Sequence, residues 1–502
     1  MLASCARLAH HGKPASRRIL REAAAEDKRW PGWEVVVGIE VHAQIKSRRK
    51  LFSGQFTRSD HEASPNMHVS AYDAAFPGTL PRLNPTCLNM AIRTALALNS
   101  NVQTRSSFDR KHYFYSDLPS GYQITQHYSP ISLGGYLQLR NDGHRIRIKQ
   151  IQIEQDTGKS TFDPRLRTSL IDLNRAGTGL MEIVSEPDLR SPEQAGDYIK
   201  TLQATLRAVG SSDGNMEQGS LRCDVNVSVN RAGDAPGTRC EIKNLNSIKF
   251  AQIAIVSEVY RHISLIENGQ KVQQETRGFD EARAETYSLR SKEDAPDYRY
   301  MPDPNLPPIV LDQTYIEDVR TSMPELPEAT RARLLARGLS DRDVQVLMAV
   351  DAGREVGFDG KLGQGAIAVT HELLGQLLAR GWSFHQNPMS AEHMGEFVDM
   401  VQQGRITGTA AKALLRHMLD HSSAAAPLEV AQQLSLLSLA DDTGSLEQWC
   451  KEAIDSMLRE AEEARQGDSR VLNKFMGRVM KISRGRADAK GARAMLQKLL
   501  SR

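Results

Sequence analysis

The sequence lacks most of the features that reveal a function directly. Its 502 residues include five cysteines, no two of which form a CxxC pair. We therefore expect neither a structural zinc site nor a disulfide framework, and such scattered thiols are typical of a reducing compartment. No run of about 18 apolar residues is present, so no membrane span is predicted. The motifs GxxxxGKS/T, GxGxxG and HExxH are also absent, which excludes the common sequence routes to nucleotide and metal sites.

Neither sign of charge dominates. Lys and Arg number 64, Asp and Glu number 61, and the formal net charge is +3. This near balance neither requires nor excludes a nucleic-acid partner, because local patches matter more than the total. With 40% apolar and 25% charged residues, the composition is ordinary for a soluble globular protein. A chain of this length predicts two or three domains.

Acidic residues are missing from the first 21 positions, where Ala and Ser are frequent. Five basic residues occur there: Arg7, Lys13, Arg17, Arg18 and Arg21. A basic segment without a sustained apolar stretch predicts a mitochondrial transit peptide, and hence the mitochondrial matrix, rather than a secretory signal. A disordered basic arm is the alternative. Residues 1–30 are excluded from the fold prediction in either case.

Hydrophobic spacing predicts an α+β protein after residue 30. Residues 31–320 alternate with period two in several places, which predicts a strand-rich domain with a mainly antiparallel sheet. Helices are expected there at Met90–Leu98 and at Pro192–Val209, the second with Ser191 as its N-cap. Beyond Pro327 the apolar spacing becomes three to four. This spacing predicts an all-α domain over residues 321–400 and a small α-helical tail over residues 401–502.

The strand predicted at Val35–Ile45 contains the first candidate site. Its odd-numbered residues are all apolar, whereas Glu40 and His42 lie two residues apart on the other face. A carboxylate beside an imidazole suits a metal ion or a metal–phosphate complex. The alternative is a solvated outer face without a ligand.

Strands with acidic residues recur further along the chain. Leu221–Asn230 alternates as cleanly as the first strand. Arg145–Gln155 alternates with a phase slip near Lys149, which predicts a β-bulge. Beyond the slip, Gln152 and Glu154 are expected on the outward face.

Carboxylates and cations are interleaved along these strands. The acids are Glu40, Glu154, Asp156, Glu182, Glu217, Asp224 and Glu241, and the cations are Arg110, Lys111, Lys159, Arg222 and Lys243. Oxygen ligands with one imidazole suit Mg²⁺ or Mn²⁺, and neighbouring Arg and Lys suit phosphate oxygens. The set therefore predicts metal–nucleotide chemistry, because a metal and a cationic clamp are parts of phosphoryl transfer. Ordinary cross-strand charge pairing is the alternative.

Three further segments have a distinctive composition. Phe108–Pro119 interleaves aromatic rings with cations, which suits stacking on bases or on a nucleotide, although an aromatic core strand has the same composition. Ser445–Gln448 is a capping-box pattern, so a helix is expected to begin there and to end near Gly467. The last stretch, residues 471–502, is basic.

Ten ordered segments form a recognisable set between residues 33 and 310. They are GIEVH (38–42), FPGTLP (76–81), FDRKHYFYSDLPSGYQITQ (108–126), DTGKS (156–160), DLNRAG (172–177), EIVSEPDLRS (182–191), SDGNMEQGSLRCDVNVSV (212–229), EIKNLNS (241–247), QETR (274–277) and DYRYMPDPNLPP (297–308). Together they resemble the GatB family, the B subunits of aspartyl/glutamyl-tRNA amidotransferases, in the mitochondrial form. The resemblance continues more weakly through the helical region into a YqeY-like tail.

The resemblance implies an enzyme subunit that is active in a complex. ATP would phosphorylate the glutamyl side chain of mischarged Glu-tRNA(Gln), and ammonia would displace the phosphate to give Gln-tRNA(Gln) for mitochondrial translation. Residues 31–320 would form a cradle domain that holds this site with ATP and Mg²⁺. An amidase A subunit would supply the ammonia, and a small third subunit would complete the heterotrimer.

The resemblance also implies roles for residues. Glu40, His42 and Glu241 match metal ligands of the family, and Gln155 stands where a ligand glutamate is usual. An amide oxygen coordinates Mg²⁺ without charge, so either metal affinity is lower or Glu154 takes this role. The candidate sets are catalytic Glu40, His42, Glu154, Glu182 and Glu217; metal-binding Glu40, His42, Gln155 and Glu241; ATP- or phosphate-binding Arg110, Lys111, Lys159, Arg222 and Lys243; and tRNA-binding Lys474, Lys481, Arg484 and Arg486.

Two alternative functions stay open at this point. The acid-to-amide changes at Gln155 and Gln218 are compatible with a catalytically impaired tRNA-binding scaffold of the same complex. An unrelated metal-dependent phosphotransferase is the third possibility. The basic tail suits either a tRNA phosphate backbone or a solvated helical face.

Overall fold

The computed structural model describes most of the chain in two compact units, residues 1–327 and residues 328–502. The described residues are 27–57, 64–291, 298–351, 372–382, 386–421, 425–437, 443–457, 460–462, 471–483, 487 and 489–500. Cys5, the basic residues before position 26, Gly467, Arg484 and Arg486 lie outside them.

All seventeen strands of the described residues belong to the first unit. They are β1 (Trp33–Gln44), β2 (Asn101–Val102), β3 (Arg105–Ser106), β4 (Asp109–His112), β5 (Tyr122–Thr125), β6 (Ser132–Leu133), β7 (Tyr136–Gln138), β8 (Arg145–Gln155), β9 (Lys159–Asp163), β10 (Thr168–Asp172), β11 (Gly179–Ser185), β12 (Leu221–Arg231), β13 (Cys240–Leu245), β14 (Glu275–Asp280), β15 (Glu285–Ser291), β16 (Tyr300–Pro302) and β17 (Ile309–Val310). Ten of them form one sheet in the order β15-β14-β13-β12-β1-β11-β8-β6-β2, with β7 also paired to β8. Its pairings are antiparallel except for β13 with β14. The predicted α+β class with a mainly antiparallel sheet is confirmed.

Helices, unlike strands, occur in both units of the described chain. They are α1 (Pro85–Ala97), α2 (Pro192–Ala208), α3 (Ile248–Glu267), α4 (Gln313–Thr321), α5 (Pro327–Ala336), α6 (Asp341–Asp351), α7 (Leu374–Ala379), α8 (Ala391–Gln402), α9 (Gly408–Asp420), α10 (Pro427–Gln433), α11 (Thr443–Asp455), α12 (Val471–Ile482) and α13 (Ala489–Leu500). As predicted for α2, Ser191 caps it, with its hydroxyl accepting from Gln194 N, and Pro192 is its first residue. α1 begins five residues earlier than predicted, because Asn84 caps it and Pro85 opens it.

β1 lies in the middle of the sheet, and its alternation is as predicted. Val35, Val37, Ile39, Val41 and Ala43 are buried, and α1, α2 and α3 contribute buried residues to the same core. The apolar face of the sheet is therefore covered by helices, and the face with Glu40 and His42 is left for polar side chains.

The predicted bulge in β8 is confirmed. Val184 on β11 pairs with Gln150 and Ser185 pairs with Ile148, so Lys149 is the extra residue. Gln152 and Glu154 lie on the polar face of the sheet, as predicted, but both side chains are buried there rather than exposed to solvent. Thr125 on β5 covers them: its hydroxyl lies 3.2 Å from Glu154 Oε2 and 3.2 Å from Gln152 Nε2.

A small second sheet provides this cover. Its order is β16-β4-β5, so a segment near residue 300 pairs with residues 109–112. The polar face of the main sheet thus becomes the floor of a cleft rather than an open surface. The sequence did not predict this second layer, because the pairing joins segments about 190 residues apart in the chain.

The second unit contains no strand among its described residues, and these form two hydrophobic cores. One core includes Leu373, Phe397, Leu414 and Leu436, and the other includes Cys450, Phe475 and Leu496. A domain boundary at 400/401 would fall inside α8. We propose instead that the first helical core extends to about residue 437 and that the tail begins near Thr443.

The capping box expected at Ser445 is not the start of its helix. α11 begins two residues earlier, at Thr443, and ends at Asp455, well before the expected end near Gly467. In the helices that the structure describes, none has the length and apolar character needed to cross a bilayer. The four described cysteines, Cys87, Cys223, Cys240 and Cys450, are free thiols and are buried.

Candidate active site

Four neighbouring strands each place one polar residue in a row across the cleft floor. His42 on β1 pairs with Glu182 on β11 and with Arg222 on β12. Glu182 pairs in turn with Gln152 on β8, whose Nε2 donates to Glu182 Oε2 at 2.5 Å. Because registered residues on adjacent strands point to the same face, these four side chains form one continuous polar row.

Carboxylates converge on the imidazole of His42. Its Nε2 lies 3.5 Å from Glu40 Oε1 and 3.7 Å from Glu154 Oε1. Ligand atoms of Glu40, His42 and Asp224 lie within 4.8 Å of one another, and the same is true of His42, Glu154 and Glu182. These separations exceed ordinary hydrogen-bond lengths and match donors arranged around a shared cation.

The acids outnumber the cations at this point of the cleft. Burial raises the pKa of Glu182 well above its ordinary value, and the negative charges of Glu154 and Glu40 raise it further. Burial alone would lower the pKa of Lys111, but Glu154 is the main group that raises it above its ordinary value instead. Three carboxylates facing one ammonium leave a negative excess, which a divalent cation would balance.

A second ion-paired group flanks His42 on the other side. Lys243 Nζ lies 2.8 Å from Asp224 Oδ2 and 2.9 Å from Glu241 Oε1, and Asn244 N donates to Asp224 Oδ1 at 2.8 Å. Burial alone would raise the pKa of Asp224, but the Lys243 ammonium and His42 hold it below its ordinary value. The carboxylates raise the pKa of Lys243 despite its burial. The Asp224 carboxylate and the Lys243 ammonium therefore both stay charged at neutral pH.

The turn after β8 fixes a guanidinium beside this cluster. Arg222 Nη2 donates to both carboxylate oxygens of Asp156 at 3.1 Å, and Arg175 Nε lies 3.4 Å from Asp156 Oδ2. The turn itself is anchored by Asp156 N, which donates to Thr178 O at 2.7 Å. The negative charge of Asp156 raises the pKa of Arg222. Asp156 thus holds Arg222 in one orientation at the cleft.

Replacing Asp156 by asparagine is expected to lower the rate of any reaction in which Arg222 clamps a phosphoryl group. The variant keeps the shape of the side chain but loses the charge that orients the guanidinium, and a misplacement of about 1 Å can cost about 100-fold in rate. The measurement is turnover at saturating substrates. Asp188→Asn is the matched control. Asp188 Oδ1 lies 2.7 Å from Nη2 of the exposed Arg147, and this pair does not line the cleft. Equal turnover by both variants would contradict the role of Asp156.

The cleft narrows to a cavity of about 200 Å³ between the cluster and the small sheet. Its lining residues are His42, Lys111, Tyr113, Gln123, Glu154, Asp156, Thr157, Leu180, Arg222, Asp224, Asn244 and Tyr298. Pockets that enclose a drug-sized ligand measure about 300–1,000 Å³. The cavity is therefore smaller than a site that encloses a drug-sized ligand, and a whole nucleotide would extend beyond it.

Arg110 and Lys111 are neighbours on β4 but have different surroundings. Lys111 lines the cavity, and its ammonium lies 4.6 Å from the centre of the Tyr298 ring. Arg110 Nε instead donates to Asp303 Oδ2 at 2.7 Å, and its guanidinium covers the Tyr122 ring at 4.1 Å. Successive side chains of a strand point to opposite faces, so only Lys111 of this predicted pair faces the cluster.

Two other predicted residues lie apart from the cluster. Lys159, at the start of β9, is exposed and lines a second cavity of about 1010 Å³, to which Arg175 and Gln218 also contribute. Glu217 is exposed on the turn that precedes β12. No described contact links Lys159 or Glu217 to His42. Of the predicted cations, Lys111, Arg222 and Lys243 are the three at the cluster.

Gln155 is out of phase with the other candidate metal ligands. Gln152 and Glu154 face the cleft, so the strand alternation places Gln155 with Ile151 and Ile153 on the core side. Its side chain is 5% exposed, and its Oε1 has no hydrogen-bond partner. Since Glu154 is the residue that approaches His42, we propose Glu154 rather than Gln155 as the ligand from β8.

Sequence reasoning listed Asp224 and Asp156 among the acids that predict metal–nucleotide chemistry but assigned neither a role in the site. The alternation of β12 did place Arg222, Asp224 and Asn226 on one face. What it could not give was the register that sets Asp224 opposite Glu40, since these residues are 184 positions apart. Gln152 was missed for the same reason.

One other group of potential ligands is better explained as an ion-pair network. Cys240 at the start of β13 is buried close to Glu258 and His262 of α3. However, Arg261 and Arg277 contact the Glu258 carboxylate at 2.6 and 3.1 Å, and burial raises the pKa of the Cys240 thiol to about 11. Two guanidinium groups and a protonated thiol disfavour a cation at this position.

Comparisons with known proteins identify the family of the chain. The family model described as GatB/GatE catalytic domain matches residues 35–317, and the one described as GatB domain matches residues 363–500. A Laccaria bicolor protein, named as the mitochondrial B subunit of glutamyl-tRNA(Gln) amidotransferase, is 60% identical over 95% of this chain and 93% of its own length. A protein of the same name from Cryptococcus neoformans is 45% identical over 95% of both chains. The B subunit of aspartyl/glutamyl-tRNA(Asn/Gln) amidotransferase from Granulibacter bethesdensis is 44% identical over 93% of this chain and 98% of its own. The chain therefore belongs to the GatB family.

Proposed function

We propose that this chain is the B subunit of a mitochondrial glutamyl-tRNA(Gln) amidotransferase and contains its kinase and transamidation site. The γ-phosphoryl group of ATP is transferred to the side-chain carboxylate of the glutamate on Glu-tRNA(Gln), which gives an acyl phosphate and ADP. Ammonia then attacks the acyl carbon, and inorganic phosphate leaves with the former carboxylate oxygen. The observation that carries the proposal is the convergence of Glu40, His42, Glu154, Glu182 and Asp224 beside three cations.

The donor set fits Mg²⁺. Glu40, His42, Glu154 and Asp224 would hold the ion, with Glu182 and Glu241 close by, and their negative excess is the electrostatic complement of a divalent cation. A bound Mg²⁺ supplies charge neutralisation on phosphate oxygens and orients the transferred group.

The cations of this chain have separable roles in the proposal. Arg222, held by Asp156, faces the cavity beside His42 and binds the transferred phosphoryl oxygens. Lys111 lies over the cavity from the small sheet and neutralises the attacking carboxylate on the other side. Lys243 is held by Asp224 and Glu241 and keeps the Asp224 carboxylate ionised. The burial of Gln152 and Glu154 excludes water from the floor, where an acyl phosphate would otherwise hydrolyse.

Partners follow from the chemistry. The relatives are named as B subunits, which supports further subunits: an amidase A subunit that supplies ammonia and a small third subunit that completes the assembly. The substrate glutamate reaches the site as an ester on a tRNA. The names of two relatives place the protein in the mitochondrion, and the basic N-terminal segment acts as its transit peptide.

The test is the reconstituted complex with Glu-tRNA(Gln), ATP, Mg²⁺ and glutamine. The expected result is ATP hydrolysis that depends on Glu-tRNA(Gln), together with Gln-tRNA(Gln) as product. Uncharged tRNA(Gln) and Glu-tRNA(Glu) are the controls. Retention of tRNA binding without ATP hydrolysis would overturn the enzymatic proposal in favour of a scaffold subunit.

We also propose that α12 contacts the tRNA backbone. Lys474, Arg478 and Lys481 are exposed on this helix, whereas Leu472, Phe475 and Val479 are buried in the second core of the unit. Reversing the three charges together is expected to weaken tRNA binding and to reduce the slope of log K against log salt by about 2 to 3, since each phosphate contact contributes roughly 0.7–0.9. Lys412→Glu on α9 is the control. An unaltered salt slope would contradict the contact.

A further inference from the structure

The loop between β4 and β5 presents a set of aromatic rings at the mouth of the cavity. We define the aromatic rim as Tyr113, Phe114, Tyr115 and Tyr298. Phe114 is 82% exposed and Tyr115 is 57% exposed. Covering adjacent exposed rings removes apolar surface from water, which favours binding. A group of such rings therefore marks a contact surface.

The rim is continuous with the cavity through stacked rings. Tyr113 and Tyr298 line the cavity together with Lys111, and their ring centres are 6.3 Å apart. Tyr115 stacks on Tyr113 with ring centres 4.5 Å apart and an interplanar angle of 30°. One face of the Tyr115 ring is therefore covered by protein, and its other side extends the stack outward.

The loop that carries Tyr113, Phe114 and Tyr115 is held in place. Leu118 is buried, Tyr113 N donates to Gly121 O at 2.9 Å, and Gly158 N donates to Asp117 O at 2.8 Å. The Phe114 ring packs on Gly121, where a β-carbon would meet it at 3.4 Å. The rings are thus presented by a fixed loop, which lowers the entropic cost of a ligand that stacks on them.

The size of the cavity decides what lies on the rim. At about 200 Å³ it encloses the glutamyl side chain but not the nucleoside to which the amino acid is esterified. About six bonds, each near 1.5 Å or less, join the side-chain carboxyl to the ribose, so the ribose must lie within about 9 Å of the reacting carboxyl. Tyr113 and Tyr298 line the cavity itself, so the rim offers flat rings to an unpaired base beside it.

We propose that the aromatic rim stacks the unpaired base at the 3′ end of the aminoacyl-tRNA, with Tyr115 as the outermost ring. This inference rests on the proposed function, because it takes the aminoacyl ester as the substrate. Stacking on aromatic side chains is the usual way in which proteins hold single-stranded RNA.

The experiment uses the reconstituted complex and the variants Tyr115→Ala, Tyr115→Phe and Phe162→Ala. Tyr115→Ala is expected to raise KM for Glu-tRNA(Gln) about tenfold while KM for ATP stays unchanged, because base stacking on one ring accounts for a factor of this order. Tyr115→Phe keeps the ring and is expected to restore KM. Phe162, 62% exposed on the β9–β10 hairpin, is the matched control and is expected to have no effect.

Direct evidence comes from tRNA(Gln) in which 2-aminopurine replaces the 3′-terminal adenine. Its fluorescence is expected to be quenched on binding to the wild-type complex and to Tyr115→Phe, and to stay high with Tyr115→Ala. A rise in KM for ATP instead would assign the rim to the adenine of ATP and overturn the proposal. Loss of assembly in Tyr115→Ala, with normal kinetics for what remains, would overturn it in favour of a subunit contact. Quenching that depends on Tyr115 in a complex that forms no Gln-tRNA(Gln) would support the rim while rejecting the proposed function.

Discussion

Replacing Glu40 by glutamine is expected to reduce Gln-tRNA(Gln) formation by at least about 100-fold without loss of assembly. The substitution removes one negative charge 3.5 Å from His42 Nε2 and leaves the size of the side chain unchanged. Loss of a single group that stabilises charge in the transition state costs about 10²–10³ in rate. The loss should be partly relieved at high Mg²⁺, because a removed ligand weakens metal affinity before it prevents binding.

The measurement is the initial rate in the reconstituted complex at saturating Glu-tRNA(Gln), ATP and glutamine, over a titration of Mg²⁺. Glu34→Gln is the matched control, since Glu34 lies on the same face of β1, six residues away, and is exposed. Glu241→Gln is expected to act in the same direction as Glu40→Gln. A Glu40→Gln complex as active as the Glu34→Gln complex would remove Glu40 from the metal site.

A second large effect is expected on stability rather than on activity. Glu258 is fully buried, and its carboxylate receives Arg261 at 2.6 Å, Thr286 at 2.7 Å, His262 at 2.9 Å and Arg277 at 3.1 Å. Glu258→Gln removes one of the two carboxylates that face Arg261 and Arg277 and leaves Glu275 as their remaining counter-charge among the described residues. Removing one partner of a buried ion pair costs about 3–5 kcal/mol in the free energy of unfolding.

Hydrogen exchange of the α3 amides in the full chain measures this change as a loss of protection. Glu317→Gln is the control, because Glu317 forms a similar pair with Arg320 on exposed α4, where a surface pair contributes about 0–1 kcal/mol. Protection of α3 that is equal in the two variants would show that the buried network contributes little to stability.

The same carboxylate predicts a pH dependence. Burial alone would raise the pKa of Glu258, but hydrogen bonds from His262 and Arg261 hold it far below its ordinary value of 4.5. A group with a depressed pKa contributes fully above its unfolded-state pKa, and this contribution is lost as pH falls. Protection of α3 should therefore decline below about pH 4.5 in the wild type and much less in Glu258→Gln.

What the sequence could predict was local. The alternation of β1 gave the face that carries Glu40 and His42, and the slip in β8 gave the bulge at Lys149, because side-chain phase depends only on neighbouring residues. The N-cap at Ser191 is likewise a matter of a few adjacent residues.

What it could not predict was pairing over long distances. The partner of Glu40 across β12 is Asp224, and the cover over Glu154 comes from Thr125 on a separate small sheet. Sheet register and layer packing depend on the whole fold, and a residue such as Arg110 can face either way until its strand is placed. This is why Arg110 and Lys111, adjacent in the sequence, have different roles in the structure.

The hydrogen bond from Gly158 N to Asp117 O joins the loop of the aromatic rim to the turn that carries Asp156. A β-carbon at position 158 would lie 3.0 Å from the Asp117 and Asp172 carbonyl oxygens, so glycine permits this close approach. This hydrogen bond thus joins the loop proposed to contact the tRNA end to the turn that orients Arg222. A tRNA end that binds in the wrong position would therefore displace Arg222. Discrimination between tRNAs would then lower kcat as well as raise KM.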